Sequence, residues 1–254
     1  NNKYKGKYNY CYCTKSSHFK HVLNEALKND IHIETSSAFD IDIVEKLKKE
    51  GKITDNTYVI SNGFKRAQYV ENIARLINNG HKNCIPIIDN YEEIELLSEE
   101  INGKFNIGIR IASEEEPKFE FYTSRLGIGY KNIVPFYNKQ VRDNKKVKLK
   151  MLHFFINTGI RDNAYYWNEL SKCLKVYTSL KKICPSLDSL NIGGGFPIKN
   201  SLAFDFDYEY MVDEILYSKI PYMISSKWSM YGIFKGFIYR YNNNYKPRIT
   251  DLEN

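Results

Sequence analysis

Three consecutive glycines, Gly193 to Gly195, end a short apolar run in the segment LNIGGGFP (190–197). Glycine loses much conformational entropy when it is ordered and offers no side chain to pack. It is therefore used where the backbone turns through positive φ or where a ligand comes close. A run of bare N–H groups forms a nest for anions, of which phosphate is the usual one. The glycines indicate either a phosphate site or a tight turn at the end of a strand.

Lys15 is the second residue that could do chemistry, in the segment CYCTKSSHF (11–19), where a predicted strand ends. A lysine at such a place is often only a solvated loop residue. Opposite a phosphate nest, however, its amine can form a Schiff base with the aldehyde of a phosphate-anchored ring, which is what pyridoxal 5'-phosphate (PLP) requires. The two segments together predict a lysine and a glycine loop that bind one cofactor.

Apolar strands and amphipathic helices alternate along the chain and would position these residues. The predicted strands cover 8–13, 31–37, 58–63, 84–90, 105–112, 148–156 and 186–194. The predicted helices cover 17–30, with Ser17 as its cap, 39–52, 65–80, 91–103, 164–183 and 207–218, and residues 113–146 are predicted to be irregular. Such alternation is typical of an α/β fold with a parallel sheet and helices outside it.

Seven predicted strands are one fewer than a closed (β/α)8 TIM-type barrel needs. In such barrels the phosphate site commonly lies in the loops after strands 7 and 8, and the glycines follow the seventh predicted strand. An open doubly wound sheet is the alternative, but the position of the glycines favours the barrel. We therefore predict a barrel domain over 1–218 that lacks strand 8, followed by an aromatic, basic tail over 219–254.

Composition narrows the class of protein. The 254 residues are 43% hydrophobic, without an apolar run long enough to span a membrane. The net charge of +7 comes from dispersed lysines, which indicates a solvated surface rather than nucleic-acid binding. The five cysteines lack a zinc-binding pattern and are predicted to be buried free thiols in a reducing, cytoplasmic environment. The first residues include neither an initiator Met nor a signal segment, which suggests part of a longer protein.

Six segments, in order and spacing, resemble the fold-type III PLP-dependent decarboxylases, which share their barrel with the alanine racemases. They are YNYCYCTKSSHF (8–19), IETSS (33–37), IRIA (109–112), SRLGIGY (124–130), LHFFINTG (152–159) and LNIGGGFP (190–197). A further segment, SNGFK (61–65), is similar to the version in biosynthetic arginine decarboxylases. The resemblance covers about residues 5–217. It implies a PLP-dependent carboxy-lyase that converts arginine to agmatine in polyamine and spermidine biosynthesis.

The resemblance also implies roles for the residues that match its motifs. Lys15 would form the Schiff base with PLP, and Gly193, Gly194 and Gly195 would hold its phosphate. Glu34 and Arg110 would lie beside the cofactor and help to place it.

The predicted strand 148–156 carries three more residues of interest. Phe155 stands where the family usually has a histidine stacked on the ring; it can stack but cannot share a proton. Thr158 would keep the hydroxyl that binds the phosphate. His153 comes too early on the strand to be the stacking residue, so we expect it in the barrel core or behind the residues that touch the cofactor.

Beyond Ile215 the sequence departs from the family pattern. The acidic residue that the family uses to hold the proton of the ring nitrogen, on strand 8, has no match. The C-terminal β domain of the family also has no match in this sequence. In the family that domain supplies a cysteine and an aspartate to the site across the interface of a homodimer. Two alternatives therefore stay open beside the decarboxylase. One is a racemase-like or cofactor-carrying PLP barrel without decarboxylase activity, and the other is an inactive remnant barrel that acts as a binding module.

Overall fold

Strands and helices alternate in this computed structural model, which describes residues 5–112, 126–156 and 163–194. The strands are β1 Cys11–Cys13, β2 His32–Thr35, β3 Val59–Ser61, β4 Cys84–Ile88, β5 Phe105–Ala112, β6 Ile128–Gly129, β7 Val147–Phe154 and β8 Ser189–Asn191. The helices are α1 Lys20–Ala26, α2 Ala38–Lys49, α3 Ala67–Asn78, α4 Glu93–Glu100, α5 Ile133–Phe136 and α6 Asn163–Lys181. The predicted helix 207–218, the predicted domain boundary at 218 and the tail after it lie outside the described residues.

All described strands pair in parallel, in the order β1-β2-β3-β4-β5-β7-β8, and β6 pairs with β5 as a short branch. Parallel neighbours need a crossover connection, and the helices provide it between successive strands of this order. The seven strands of the main order correspond to the seven predicted ones. The glycine segment follows the last of them, β8, as the sequence predicts.

Two local predictions are wrong. The described part of 113–146 is not irregular: it holds β6, α5 and two short turns of 3-10 and π helix, Tyr130–Asn132 and Tyr137–Val141. These pieces are too short for apolar periodicity to reveal them.

The second wrong prediction concerns the start of α1. Ser17 does not cap this helix, which begins after Phe19 without a side-chain cap. The Ser17 carbonyl instead accepts a hydrogen bond from the Tyr12 hydroxyl at 3.0 Å.

The helices cover one face of the sheet. In α2 the buried residues Ile41, Val44 and Leu47 recur at helical spacing and pack into the larger core cluster. This is the apolar stripe expected of a helix with one buried side. The helix ends just before Gly51, whose φ of +68° is the conformation that commonly terminates helices. The same cluster includes the residues of the strands that alternate outward, such as Ile33 and Ile107.

The opposite face of the sheet forms a separate, smaller cluster of Ile60, Ile85 and Ile87. Met151 packs against this cluster from β7, although β5 lies between β4 and β7 in the strand order. The Asn62 amide, directly after β3, likewise lies 2.9 Å from the His153 ring on β7. The sheet is therefore curled, with the smaller cluster inside, and forms a partial barrel. The predicted barrel fold is confirmed as far as the described residues extend.

Two compositional predictions can be compared with the structure. All five cysteines are free, as predicted; three are buried, whereas Cys11 and Cys13 are only half-buried, so the prediction of buried thiols is wrong for these two. Burial raises the pKa of both Cys11 and Cys84 to about 12, so these thiols stay protonated near neutral pH. As for membranes, none of the described helices has the length and apolar composition that crossing a bilayer requires.

Candidate active site

Polar side chains gather inside the curled sheet at the carboxyl ends of its strands. Arg110, His153 and Asn191 are neighbours in register on β5, β7 and β8. Glu34 of β2 and Asn62 after β3 belong to the opposite wall and meet this row through hydrogen bonds. In α/β barrels this end of the strands is where active sites lie. The curled sheet thus brings together residues up to 157 positions apart in the chain.

Glu34 is the centre of this polar group. Its Oε1 accepts a hydrogen bond from Asn62 Nδ2 at 3.2 Å, and its Oε2 accepts one from Asn191 Nδ2 at 3.1 Å. Asn62 Nδ2 also lies 2.9 Å from Nε2 of His153, which is buried. Burial lowers the pKa of His153 and outweighs the opposing effect of the nearby Glu34 charge. The centre therefore combines one carboxylate, two amides and a neutral imidazole.

Lys15 lies at the same end of the sheet, two residues after β1. Thr14 holds the backbone there, because its N–H and its hydroxyl both donate to the Glu34 carbonyl, at 3.0 and 3.2 Å. The Ser16 N–H closes a turn onto the Cys13 carbonyl at 3.0 Å. The Lys15 side chain is exposed. A fixed backbone with an accessible amine is what a lysine needs to capture a carbonyl compound.

Gly193 forms the turn after β8 with a φ of +70°. A Cβ at this position would lie 2.7 Å from the Phe154 carbonyl oxygen, so only glycine fits without a shift of the backbone. Its N–H donates to Asn191 Oδ1 at 2.9 Å and is already used. Phosphate donors from this loop would therefore come from later residues. Gly194 is exposed and has open space where a Cβ would be, while Gly195 and Thr158 lie outside the described residues.

Phe155 and Arg110 form the opposite side of the site. The Arg110 guanidinium lies 5.7 Å from the centre of the half-buried Phe155 ring, within the range of a cation–π contact. Arg110 Nε is also 3.9 Å from Oδ1 of Asp89, whose side chain is only 1% exposed. Neither carboxylate oxygen of Asp89 has a hydrogen-bond partner within the described residues. A buried carboxylate therefore balances the charge of Arg110.

A buried ion pair supports the site from behind. Lys65 Nζ lies 3.3 Å from Glu93 Oε2 and donates to the carbonyls of Gly63 and Ile87. The Glu93 carboxylate in turn accepts the backbone N–H groups of Lys65 and Asp89 at 3.1 and 2.9 Å. Burial raises the pKa of Glu93, and the Lys65 charge opposes that rise. The pair joins the loops after β3 and β4, both of which contribute side chains to the site.

Sequence reasoning missed three of these residues: Asn62, Asp89 and Asn191. Each lies in the last few residues of a predicted strand, at the end of the sheet where polar residues in a barrel commonly serve the site. Asn62 lies inside SNGFK and Asn191 inside LNIGGGFP, which we interpreted only as family motifs. The position of each residue at a strand end was therefore available as a signal. The residue with which each of them interacts could not be identified from the sequence.

The residues present fit PLP. An exposed amine, an aromatic ring beside a guanidinium and a glycine turn with positive φ lie at one end of the sheet, in Lys15, Phe155, Arg110 and Gly193. The amine can react with the aldehyde of PLP, the aromatic side chain can stack on its ring, and the glycine turn can lead backbone N–H groups to its phosphate. The buried oxygens of Asp89 also leave polar groups that are not satisfied by the described protein atoms alone.

Comparison with known proteins agrees with this assignment. Residues 1–217 match the family described as "Pyridoxal-dependent decarboxylase, pyridoxal binding domain". The chain therefore belongs to the family of PLP-dependent decarboxylases, and the resemblance stated from its motifs is confirmed. PLP is the cofactor of this family's barrel domain.

Among curated proteins, the chain is 29% identical to biosynthetic arginine decarboxylase 2 of Synechocystis sp., over 59% of this chain and 23% of that protein. It is 26% identical to the biosynthetic arginine decarboxylase of Prochlorococcus marinus, over 81% of this chain and 32% of that protein. The chain thus spans about a third or less of the length of these relatives.

Two solved structures show the same fold. Diaminopimelate decarboxylase from M. jannaschii, in complex with L-lysine, aligns with a TM-score of 0.63 and 16% identity, over 77% of this chain and 45% of that one. Lysine decarboxylase from Selenomonas ruminantium aligns with a TM-score of 0.61 and 18% identity, over 75% and 47%. At this identity they establish the fold and not the substrate.

Proposed function

We propose that this chain contributes the PLP-binding part of an enzyme that decarboxylates arginine to agmatine, in polyamine biosynthesis. The observation that carries the proposal is the placement of Lys15, Glu34, Arg110 and Phe155 at one end of a curled parallel sheet. Arginine as the substrate is supported by the SNGFK segment and by relatives named biosynthetic arginine decarboxylase at 26–29% identity. The family alone supports decarboxylation of a basic amino acid.

When bound, PLP supplies an aldehyde that captures amines and a ring that accepts the electron pair left by a departing carboxylate. The residues of the chain have to hold and orient it. The exposed amine of Lys15 would attach the cofactor covalently, and the Phe155 ring offers a flat apolar face for stacking. The Gly193 turn would direct the backbone N–H groups that follow it toward the phosphate.

Charge at the site would act on the substrate as well. Arg110 is a permanent cation beside Phe155, and carboxylates are its usual ligands. Asp89 lies 3.9 Å from Arg110 and supplies an opposite charge next to the guanidinium. Phe155 has no ionisable atom and His153 is buried, so we assign proton exchange with the substrate to the accessible amine of Lys15 among the described residues.

The test uses the full 254-residue chain with added PLP. We expect a visible absorbance band that persists after gel filtration, is lost in Lys15→Ala and is unchanged in Lys28→Ala, a matched exposed lysine paired with Glu25. A band that survives in Lys15→Ala would overturn the role of Lys15. No band in a folded parent protein would overturn PLP binding and leave a binding module.

A second measurement separates decarboxylation from cofactor binding alone. Release of CO2 is measured with arginine, ornithine, lysine and diaminopimelate as substrates. Release from arginine at the highest kcat/KM supports the proposal, whereas preference for another amino acid contradicts the substrate. A stable band without CO2 release from any of the four would favour a racemase-like or cofactor-carrying barrel.

A further inference from the structure

Two turns that each contain an asparagine and a glycine flank Glu34, and in both the asparagine oxygen accepts the glycine N–H, from the next residue in one and from two residues on in the other. Asn62 Oδ1 accepts the N–H of Gly63, and Asn191 Oδ1 accepts the N–H of Gly193, both at 2.9 Å. Both glycines have positive φ, +84° and +70°. One turn follows β3 and the other follows β8, on opposite walls of the curled sheet. Each asparagine therefore connects the Glu34 carboxylate to the glycine turn after its own strand.

The backbone settles the orientation of both amides. A backbone N–H can only donate, so the side-chain atom that it meets must be the amide oxygen. The other amide atom is then nitrogen, and in both residues it points at Glu34, to Oε1 from Asn62 and to Oε2 from Asn191. Neither amide can rotate by half a turn without placing oxygen against a carboxylate and nitrogen against an N–H.

The orientation of Asn62 also determines the tautomer of His153. Asn62 Nδ2 has two hydrogens, and the second is directed at His153 Nε2, 2.9 Å away. Nε2 must therefore accept, and the proton of the neutral ring is on Nδ1. Nδ1 is buried and has no hydrogen-bond partner within the described residues. Two backbone N–H groups thus determine which side-chain atoms of this cluster donate hydrogen bonds and which accept them.

We propose that Asn62 and Asn191 are positioning residues: together they hold the Glu34 carboxylate in one orientation and couple it to the glycine turn that precedes the phosphate loop. Their relevance to catalysis rests on the proposed function, since Glu34 is proposed to lie beside PLP. The hydrogen-bonded group itself exists without the cofactor and can be tested without it.

Several titratable groups surround Glu34 and bear on any pH dependence. The thiols of Cys11 and Cys13 on β1 have their pKa raised by burial and secondarily by the Glu34 charge. His153 faces Glu34 from β7, with Arg110 and Asp89 also close enough to act on it.

The experiment exchanges the carboxylate and the amide. Asn191→Asp keeps the oxygen that accepts the Gly193 N–H but places a second carboxylate against Glu34. Adding Glu34→Gln restores one amide and one carboxylate, because the Gln amide can donate to the new carboxylate while its oxygen accepts from Asn62. Asn9→Asp, at an exposed position in the segment before β1, is the control for one added negative charge. PLP affinity and the urea midpoint of the cofactor-free protein are measured at about pH 8 and about pH 5.5.

We expect Asn191→Asp to bind PLP about tenfold more weakly at the higher pH, since a single pKa unit of repulsion between two carboxyl groups corresponds to that factor. Its urea midpoint should fall as well, and both losses should diminish at the lower pH as one carboxyl takes up a proton. The double variant Asn191→Asp with Glu34→Gln should regain most of the urea midpoint at either pH. Asn9→Asp should match the parent.

Substitutions at Asn62 test the other half of the proposal. Asn62→Asp with Glu34→Gln also restores one carboxylate, but the new oxygen now faces His153 Nε2, which must become protonated. We expect the His153 pKa, followed by NMR, to rise in this pair and to stay low in the Asn191 pair. Equal His153 pKa values in the two pairs of substitutions, or an Asn191→Asp variant without a pH-dependent defect, would overturn the proposal.

Absence of PLP binding in the parent protein would contradict only the proposed function, because the urea midpoints and the His153 titration are measured without cofactor.

Discussion

The interior of the curled sheet has two halves that differ sharply in polarity. On β3, β4 and β7 the inward positions change from apolar to polar within two residues: Ile60 precedes Asn62, Ile87 precedes Asp89 and Met151 precedes His153. The half toward the amino ends of the strands is a small apolar core. The half toward the carboxyl ends holds buried polar groups whose desolvation costs stability unless every partner is present.

This difference separates what stabilises the barrel from what serves the cofactor. The buried residues of the apolar half, Ile60, Ile85 and Ile87, are those of an ordinary protein core and carry no polar or ionisable side-chain atom. The polar half combines a carboxylate, an imidazole and a guanidinium, which a protein selected for stability alone would replace with apolar residues. Substitutions in the two halves should therefore have different effects on stability and on cofactor binding.

The largest loss of stability is expected at the ion pair behind the polar half. Lys65→Met leaves the buried Glu93 carboxylate without its cation, and removal of one partner of such a pair typically costs about 3–5 kcal/mol. The loss should diminish as the pH is lowered, because the raised pKa of Glu93 lets it take up a proton. Urea unfolding at about pH 7.5 and about pH 5 measures this. The exposed pair of Lys28 is the control, and an equal loss in Lys28→Met would contradict the assignment.

Ile87→Ala is expected to destabilise the apolar half by about 2–5 kcal/mol, because it leaves a cavity at a fully buried position. PLP affinity of the folded protein should be nearly unchanged, in contrast to changes in the polar half. Urea unfolding together with a PLP titration below the transition measures both. The 42% exposed Leu96 provides the control, Leu96→Ala, which should change little. A large loss of PLP affinity in Ile87→Ala would show that the two halves are not separable.

Gly193→Ala should cost about 1–3 kcal/mol, the usual range for a residue forced into strained backbone. The φ of +70° disfavours any Cβ, and the Phe154 carbonyl would be 2.7 Å from it. Gly194→Ala is the matched control, since a Cβ there meets open space. Comparable unfolding free energies for the two variants would show that the turn is less constrained than described.

The smallest expected effect is a pH dependence from the polar half. The pKa of His153 is lowered in the folded chain, so the unfolded chain binds a proton first as the pH falls below about 6.5. Stability should therefore fall between that pH and the lower folded pKa, by at most about 1.4 kcal/mol per pH unit. His153→Gln should reduce this slope, while His18→Gln, at an exposed position, should not. An unchanged slope in His153→Gln would mean that other groups cause it.

Much of the fold and part of the candidate site could be predicted from local patterns. Apolar periodicity identified the seven main strands, and the helices end at Gly51 and Gly80 as their positions indicate. The prediction of Lys15 followed from its position just after a strand and its resemblance to a family motif. The short elements after Ile128 were missed, because two or four residues contain no measurable period.

The sequence by itself determined the alternation of elements, the parallel sheet and the residues at the carboxyl ends of the strands, since each depends on residues close together in the chain. Only the tertiary structure decided which of those residues are partners. Asn191 and Glu34 are 157 positions apart, and the curl of the sheet places them 3.1 Å from each other. It also decided that the Gly193 N–H is bound by Asn191 and that Asp89 balances Arg110. Hydrogen bonds and desolvation depend on distances of a few ångströms between strands, and spacing along the chain does not contain them.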